Sequence, residues 1–253
     1  MTTYRLDLSW DGTAYCGWQR QPSHLSIQEC VERALRCIFP TESIVVHAAG
    51  RTDSGVHALQ QIAGFSIIGE RDPWIIQKGL NSKLPVDIVC LSVERMEDGF
   101  HPRYASKEKL YRYRILNRSR RCPFRNLHTW HIPQSLDVHQ MHVAAKYFEG
   151  THDFQAFRAQ KCSANSTVRT ITRSELLIQG DELHFEVQGK GFLRHMVRIM
   201  TGTLISIGRQ RKPATFIEEA LHCTKRTGLG ETAPSHGLWL VWTSLLDKEC
   251  EIE

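Results

Sequence analysis

The chain has 253 residues, 41% of them apolar and 23% charged, enough to bury one large core or two modest ones and unlike a disordered segment. Lys and Arg number 32 against 27 Asp and Glu, a net charge of +5 that excludes little by itself, while the absence of any apolar run of membrane-spanning length leaves no membrane partner to expect. The eight cysteines form no C-x-x-C pair, which argues against a zinc knuckle or a redox motif and for reduced, mostly structural thiols.

The opening MTTYRLDLSWDG alternates like a strand and lacks the apolar core of a signal peptide, so a cytoplasmic protein is expected. YRLDLSW reads as a strand, SIQECVERALRCIF as a helix capped by Ser26, SIVVHAAG and HALQQIAGFSI as strands, DPWIIQKGLNSKL as a helix and DIVCLSVERM as a strand. This β-α-β-β-α-β order is the split βαβ unit of ferredoxin-like domains. The polar and aromatic stretch EDGFHPRYASKEK marks a boundary, giving expected units of 1–99 and 100–253. The second half repeats the theme: strand KLYRYRIL, helix LDVHQMHVAAKYFEG, two strands across TVRTITRSELLIQGDELHFEVQG, helix FLRHMVRIMTGTLISIG, an extra helix at PATFIEEALHC and a last strand in GLWLVWTSLL. The predicted class is α+β, two ferredoxin-like units side by side with a cleft between them.

AAGRTDSGVHA, 48–58, lies where the second strand of the first unit turns into the third. Gly50 and Gly55 suit a turn through positive φ or close backbone approach, and they present Asp53 at a loop tip. Asp and Gly are also ordinary turn residues, so on spacing alone a plain turn remains open. Arg51 argues for more, because a turn does not need it and a working carboxylate is held ionised by it.

Phe100, His101, Pro102, Arg103 and Tyr104 supply rings and an arginine just ahead of KLYRYRI. On that strand, period two sets Tyr111 and Tyr113 on one face and Arg112 and Arg114 on the other. Core tyrosines and platforms for unpaired bases both fit, with the core preferred for Tyr113. Arg112, Arg114, Arg118, Arg120, Arg121 and Arg125 crowd one segment, as for a polyanionic partner or a solvated basic face. Arg158 and Lys161, set among small residues in RAQKCSANS, suit either an anion or a mobile loop. HTWH and HQMH each offer two imidazoles, but without a third ligand no metal site is expected. In FLRHMVRIMTGTLISIG an apolar stripe runs through 193, 196, 197, 200, 204 and 207, with Arg194 and Arg198 one turn apart and off it. A partly buried Arg198 needs a carboxylate, and Asp53 is a candidate that spacing alone does not pair with it.

Six motifs in order, WDGTAYCGWQRQP, GRTDSGVHA, FHPRYASKEKLYRYRI, EGTHDFQAF, GFLRHMVR with TGTL, and TAPSHGLWL, resemble the TruA family of tRNA pseudouridine synthases over nearly the whole length. The resemblance implies the doubled unit as one continuous antiparallel sheet with helices on one face, a homodimer that grips tRNA, and conversion of uridine to pseudouridine in the anticodon stem-loop, at tRNA positions 38, 39 and 40. It implies Asp53 as the catalytic residue in the first unit and Arg51 in base flipping. It also implies that Tyr111 stacks on the target uracil, that Arg198 pairs with the aspartate, and that Leu238 lines the pocket. Ser54, where alanine is frequent in the family, and GKGF in place of GNAF are its small departures.

The isomerisation breaks the bond from uracil N1 to the ribose, turns the base and joins C5 to the same carbon. No electrons or donor groups enter, so no cofactor is expected. A non-catalytic RNA-binding protein of two ferredoxin-like units is the alternative, and it leaves Arg51, Asp53 and Arg198 together without a purpose. A glycosylase would want a second acid near the site and a metal nuclease clustered carboxylates.

Overall fold

The computed structural model describes residues 1–160, 164–223 and 228–246, and the chain is α+β. It divides into two compact units, residues 1–109 with the end of the chain from 240 on, and residues 110–239. The last strand thus groups with the first unit, where the sequence boundary of 99/100 leaves it with the second half. The reason is its bonding: Thr243 N donates to Gln60 Oε1 and Leu246 N to Ala105 O.

In the first unit the elements run β1 (Thr2–Trp10), α1 (Ile27–Ile38), β2 (His47–Ala48), β3 (His57–Ile67), α2 (Pro73–Lys83), β4 (Ile88–Met96) and α3 (Pro102–Ala105). Alternation in β1 turns Tyr4, Leu6, Leu8 and Trp10 into the core. β1 pairs antiparallel with β3, Leu6 facing Ala63, and with β4, Leu6 facing Val93. Ser26 caps α1 by accepting from Glu29 N, and Asp72 caps α2 by accepting from Trp74 N.

The expected strand SIVVHAAG shrinks to the two residues of β2. Ahead of it the backbone bonds to side chains of α1 and not to a ladder: Val46 N donates to Glu32 Oε1 at 3.1 Å, and Gln28 Nε2 donates to Val46 O at 3.1 Å. Glu32 is only 1% exposed, and its other oxygen accepts from Arg20. A buried carboxylate satisfied on both oxygens thereby fixes the approach to the loop that follows β2.

In the second unit β5 (Ser106–Asn117) leads to β6 (Trp130–Ile132), α4 (Val138–Lys146), β7 (Gly150–Asp153), β8 (Val168–Gln179), β9 (Glu182–Gly189), α5 (Met196–Gly208) and α6 (Phe216–Leu221); β10 (Leu238–Leu245) carries the chain back. The strand order is β5-β9-β8-β7, with β6 parallel to β5. α5 begins later than the sequence pattern suggests, because His195 takes the left-handed conformation, φ 61°, just ahead of it. Arg194 therefore lies before the helix, exposed, with its carbonyl accepting from Ala159 N, and does not share a helix face with Arg198. The apolar stripe from Leu193 to Ile207 is buried as expected. At the buried Gly202 a Cβ would lie 1.7 Å from Glu231 O, and at Gly230 one would lie 2.1 Å from Gly202 O, so residues 230–233 lie directly on the helix backbone.

The arginine face of β5 is half-buried and paired with carboxylates. β9 alternates Leu183, Phe185 and Val187 with Glu182, His184 and Glu186. Arg112 donates to Glu186, Arg114 to Glu182, Arg118 to Asp181, and Arg125 to both Asp181 and Glu182. Four of the six clustered arginines are thus internal ion-pair partners; among the described residues, the exposed Arg120 and Arg121 make no ion pair.

Burial raises the pKa of Glu182, but hydrogen bonds from Arg114, His184 and Arg125 outweigh it and hold the carboxyl at about 2. A group whose pKa is lower folded than unfolded stabilises the fold fully above its ordinary value of 4.5, and the contribution is lost as the pH falls toward 2. Denaturant titrations across that window should show the loss, and Glu182→Gln should flatten it. Equal pH slopes for parent and variant would contradict the assignment.

Candidate active site

The loop between β2 and β3 is bonded at both ends. Ala49 N donates to Ile62 O, and Gln61 Nε2 donates to Gly50 O at 2.9 Å. Val56 N then donates to Asp53 O across Gly55, whose φ of 76° demands glycine. Gly50 serves by space instead: a Cβ there would stand 3.2 Å from Lys109 Cε. The turn leaves Thr52 buried, Asp53 half-buried and Arg51 exposed.

A second segment, 12–18, cradles this turn. Trp18 N donates to Thr52 O at 3.2 Å and Gly55 N to Tyr15 O at 3.1 Å, while Ser54 Oγ donates to the same Tyr15 carbonyl at 3.3 Å. Such approach needs residues without side chains: a Cβ on Gly12 would lie 2.1 Å from Val56 O, and one on Gly17, whose φ is 85°, 2.5 Å from Thr52 O and 2.9 Å from Asp53 C. Trp10 Nε1 donates to Val56 O, and Gly12 N lies within hydrogen-bonding distance of His57 Nδ1, which also stands 3.1 Å from Asp11 Oδ1. Tyr15 donates to Asp87 Oδ1 at 2.5 Å; burial first, and then Asp87, push its phenol well above the ordinary range. Ile27 N to Gly17 O and Gln28 N to Trp18 O tie the cradle to α1. Gly12, Tyr15, Gly17 and Trp18 position the turn through these contacts, and in the sequence they lie within WDGTAYCGWQRQP, which stands out only as a motif of the resemblance. Ser54, the departure from alanine, adds a bond and removes none.

Phe100 and Pro102 anchor α3 on β3, where a Cβ on Gly64 would lie 3.3 Å and 3.0 Å from their ring atoms. His101 lies between His47 and Tyr104, the rings tilted at 36° and 38° with centroids 5.1 and 4.7 Å away, and its Nδ1 accepts from Arg103 N. Burial, then the neighbouring His47, lower the His101 pKa. Tyr104 is 76% exposed and Arg103 is exposed as well. His47 completes this ring ladder, and no local pattern around it marks it out.

In the second unit Tyr111 is 8% exposed and sets its ring against the edge of Phe192, centroids 5.1 Å apart at 82°. Tyr113 is a core residue: its hydroxyl donates to Pro234 O at 2.7 Å, and its ring fills the space that a Cβ on Gly237 would occupy. Arg198, half-buried on α5, donates from Nε to Ala233 O at 2.7 Å, and Ala233 N donates back to Arg198 O. The Gly202 and Gly230 crossing makes that pair of bonds reachable. Leu238 is buried at the head of β10, Arg158 is half-buried, and Lys161 lies outside the described residues. Within the first unit Arg51 and Asp53 share one loop, with the 100–104 group on α3; Tyr111, Arg158, Arg198 and Leu238 belong to the second unit.

A family model described as tRNA pseudouridine synthase matches residues 9–105 and 144–243. The chain is 41% identical over 240 residues to tRNA pseudouridine synthase A of Geobacter sulfurreducens, covering 95% of this chain and 98% of that protein. It is 40% identical over 242 residues to the protein of that name from Streptococcus pneumoniae strain 70585, covering 95% and 97%.

The cradle yields a stability test. Gly17→Ala forces a methyl group into left-handed backbone and against Thr52 O, and should cost at least about 1–2 kcal/mol. Urea unfolding of the two proteins measures it; equal midpoints would mean that the 12–18 segment does not clamp the turn.

Proposed function

The chain belongs to the tRNA pseudouridine synthase family, and on that premise we propose that it isomerises uridine to pseudouridine in the anticodon stem-loop of tRNA, with Asp53 as its catalytic carboxylate. The observation that carries this reading is the turn at 53–56, clamped through backbone atoms by a second segment that has glycine wherever a side chain would collide. A clamp of that kind sets a side chain's position before substrate arrives, which is where preorganised sites gain their rate.

In the reaction the bond from uracil N1 to ribose C1′ breaks, the detached base turns, C5 bonds to C1′, and the C5 proton leaves as N1 gains one. Substrate and product are isomers, so no co-reactant is consumed. Asp53 acts as a nucleophile toward sugar or ring, or as a base that promotes loss of the uracil anion. Arg198 pairs with it, Tyr111 stacks on the base with Phe192 steadying its ring, and Leu238 supplies the apolar wall. Arg51 fills the gap left by the flipped nucleotide, whose extraction costs a few kcal/mol. The exposed Arg103 and Tyr104 and the half-buried His101 meet the RNA, together with Arg158 and Lys161. The enzyme works in the cytoplasm as a homodimer on one tRNA substrate class.

A non-catalytic RNA-binding protein would need the ring ladder and the exposed arginines, but not a clamped aspartate. Asp53→Asn separates the two readings. The amide keeps the size and hydrogen-bonding reach of the side chain, and the bonds that close the turn, Trp18 N to Thr52 O, Gly55 N to Tyr15 O and Val56 N to Asp53 O, run through the backbone, so fold and tRNA binding should persist. A neutral amide neither attacks carbon nor takes a proton at neutral pH. With an unmodified tRNA transcript, filter binding should be retained while tritium release from C5-labelled uridine falls to background. Turnover by the variant would remove Asp53 from the chemistry.

A further inference from the structure

Lys109 is an unusual lysine for its place. It is 7% exposed, its stem packs against Gly50 at the entrance of the Asp53 loop, and among the described residues it makes one side-chain bond, Nζ to Ser106 Oγ at 2.7 Å, and no ion pair. An ammonium group carries three donors, and burying one without a carboxylate is costly. The charge acting on it from α3 is positive too, that of Arg103; toward the loop it meets Gly50, next to the exposed Arg51, and on its own strand Ser106. Neither Arg51 nor Arg103 makes an ion pair among the described residues. Burial, then Arg103, lower the amine to about 8, which keeps it mainly protonated near neutrality.

Lys109 thus lies buried against Gly50, with the exposed Arg51 next along the loop and the charge of Arg103 acting on it from α3, and none of the three has an acid partner among the described residues, an arrangement that is unfavourable until an anion arrives. We propose that Lys109 is the seat of a backbone phosphodiester of the bound tRNA, next to the nucleotide presented to Asp53, with Arg51 and Arg103 at its rim. The inference rests on the tRNA reading above. Asp53 follows Gly50 by three residues, a span of at most about 10 Å, so a nucleotide whose sugar meets Asp53 carries its own phosphates along the same loop. The phosphate supplies the negative charge that the protein withholds, and it occupies the spare ammonium donors.

The test compares wild type, Lys109→Met and Lys109→Arg, with an unmodified tRNA transcript as the probe. Binding is measured over a salt series, turnover as KM and kcat, and the fold by thermal melting. Lys109→Met removes one phosphate contact, so its plot of log affinity against log salt should be shallower by about 0.9, with the loss appearing in KM and the melting temperature not lowered. Lys109→Arg keeps the charge and should restore the slope. An unchanged slope in Lys109→Met, the same loss in both variants, or a large drop in melting temperature for Lys109→Met would overturn the assignment. The first would mean no phosphate contact, the second a requirement for the amine's shape or its neutral form, and the third a structural lysine. These outcomes leave the proposed tRNA activity standing provided that wild type makes pseudouridine; wild type that binds no tRNA overturns both that activity and the phosphate seat.

Discussion

The rest of the first unit is arranged around the meeting of two backbone segments, 12–18 and 52–56. Trp18 N reaches Thr52 O and Gly55 N reaches Tyr15 O, and the chains come close enough only because residues 12 and 17 have no side chain. Each such bond is worth about 1 kcal/mol net, but together they remove the freedom of a loop that would otherwise cost entropy to order on substrate. Helix α1 holds one segment through Gly17 O and Trp18 O, while Glu32 on the same helix holds the run ahead of β2. One helix therefore positions both partners of the clamp. A change confined to the Asp53 carboxylate leaves every one of these bonds in place.

Charge is sorted differently in the two units. On the β5 and β9 faces arginine and carboxylate are paired inside the protein, at distances of 2.6 to 3.1 Å. Such pairs contribute little net stability compared with apolar residues, but they hold neighbouring strands in one register, because removing either partner strands a charge. Along the Gly50 loop and α3 the cations Arg51, Arg103 and Lys109 are left without acids among the described residues. A polyanion gains most from charges that the protein has not already neutralised, so this second group is the one suited to RNA, although it is the less conspicuous in sequence.

That contrast explains what was legible in the sequence. Hydrophobic period and caps located most of the larger elements, Ser26 and the burial of the 193–207 stripe included, since these depend on residues close in the chain. The strand expected at SIVVHAAG failed because Glu32, more than ten residues earlier, takes the backbone bonds a ladder would use. Arg194 was placed on a helix that His195 delays by its left-handed conformation, which no periodicity reports. The arginine cluster looked available because its carboxylates lie about sixty residues later, on β9 and the turn before it. At the candidate site Asp53, Arg51 and Gly55 stand in one short motif and could be read together. Tyr15, Gly17 and Lys109 owe their positions to approach across the fold, and the segment WDGTAYCGWQRQP stood out in the sequence only as one of the motifs that carry the family resemblance.

We propose that the clamped Asp53 loop makes pseudouridine in the anticodon arm of tRNA. Mapping pseudouridine at nucleotide resolution in total tRNA, from cells with and without this protein, tests it most directly. Pseudouridines on the 3′ side of the anticodon stem and loop should disappear without the protein while those elsewhere in tRNA remain. An unchanged anticodon arm, or losses confined to other parts of the molecule, would contradict it.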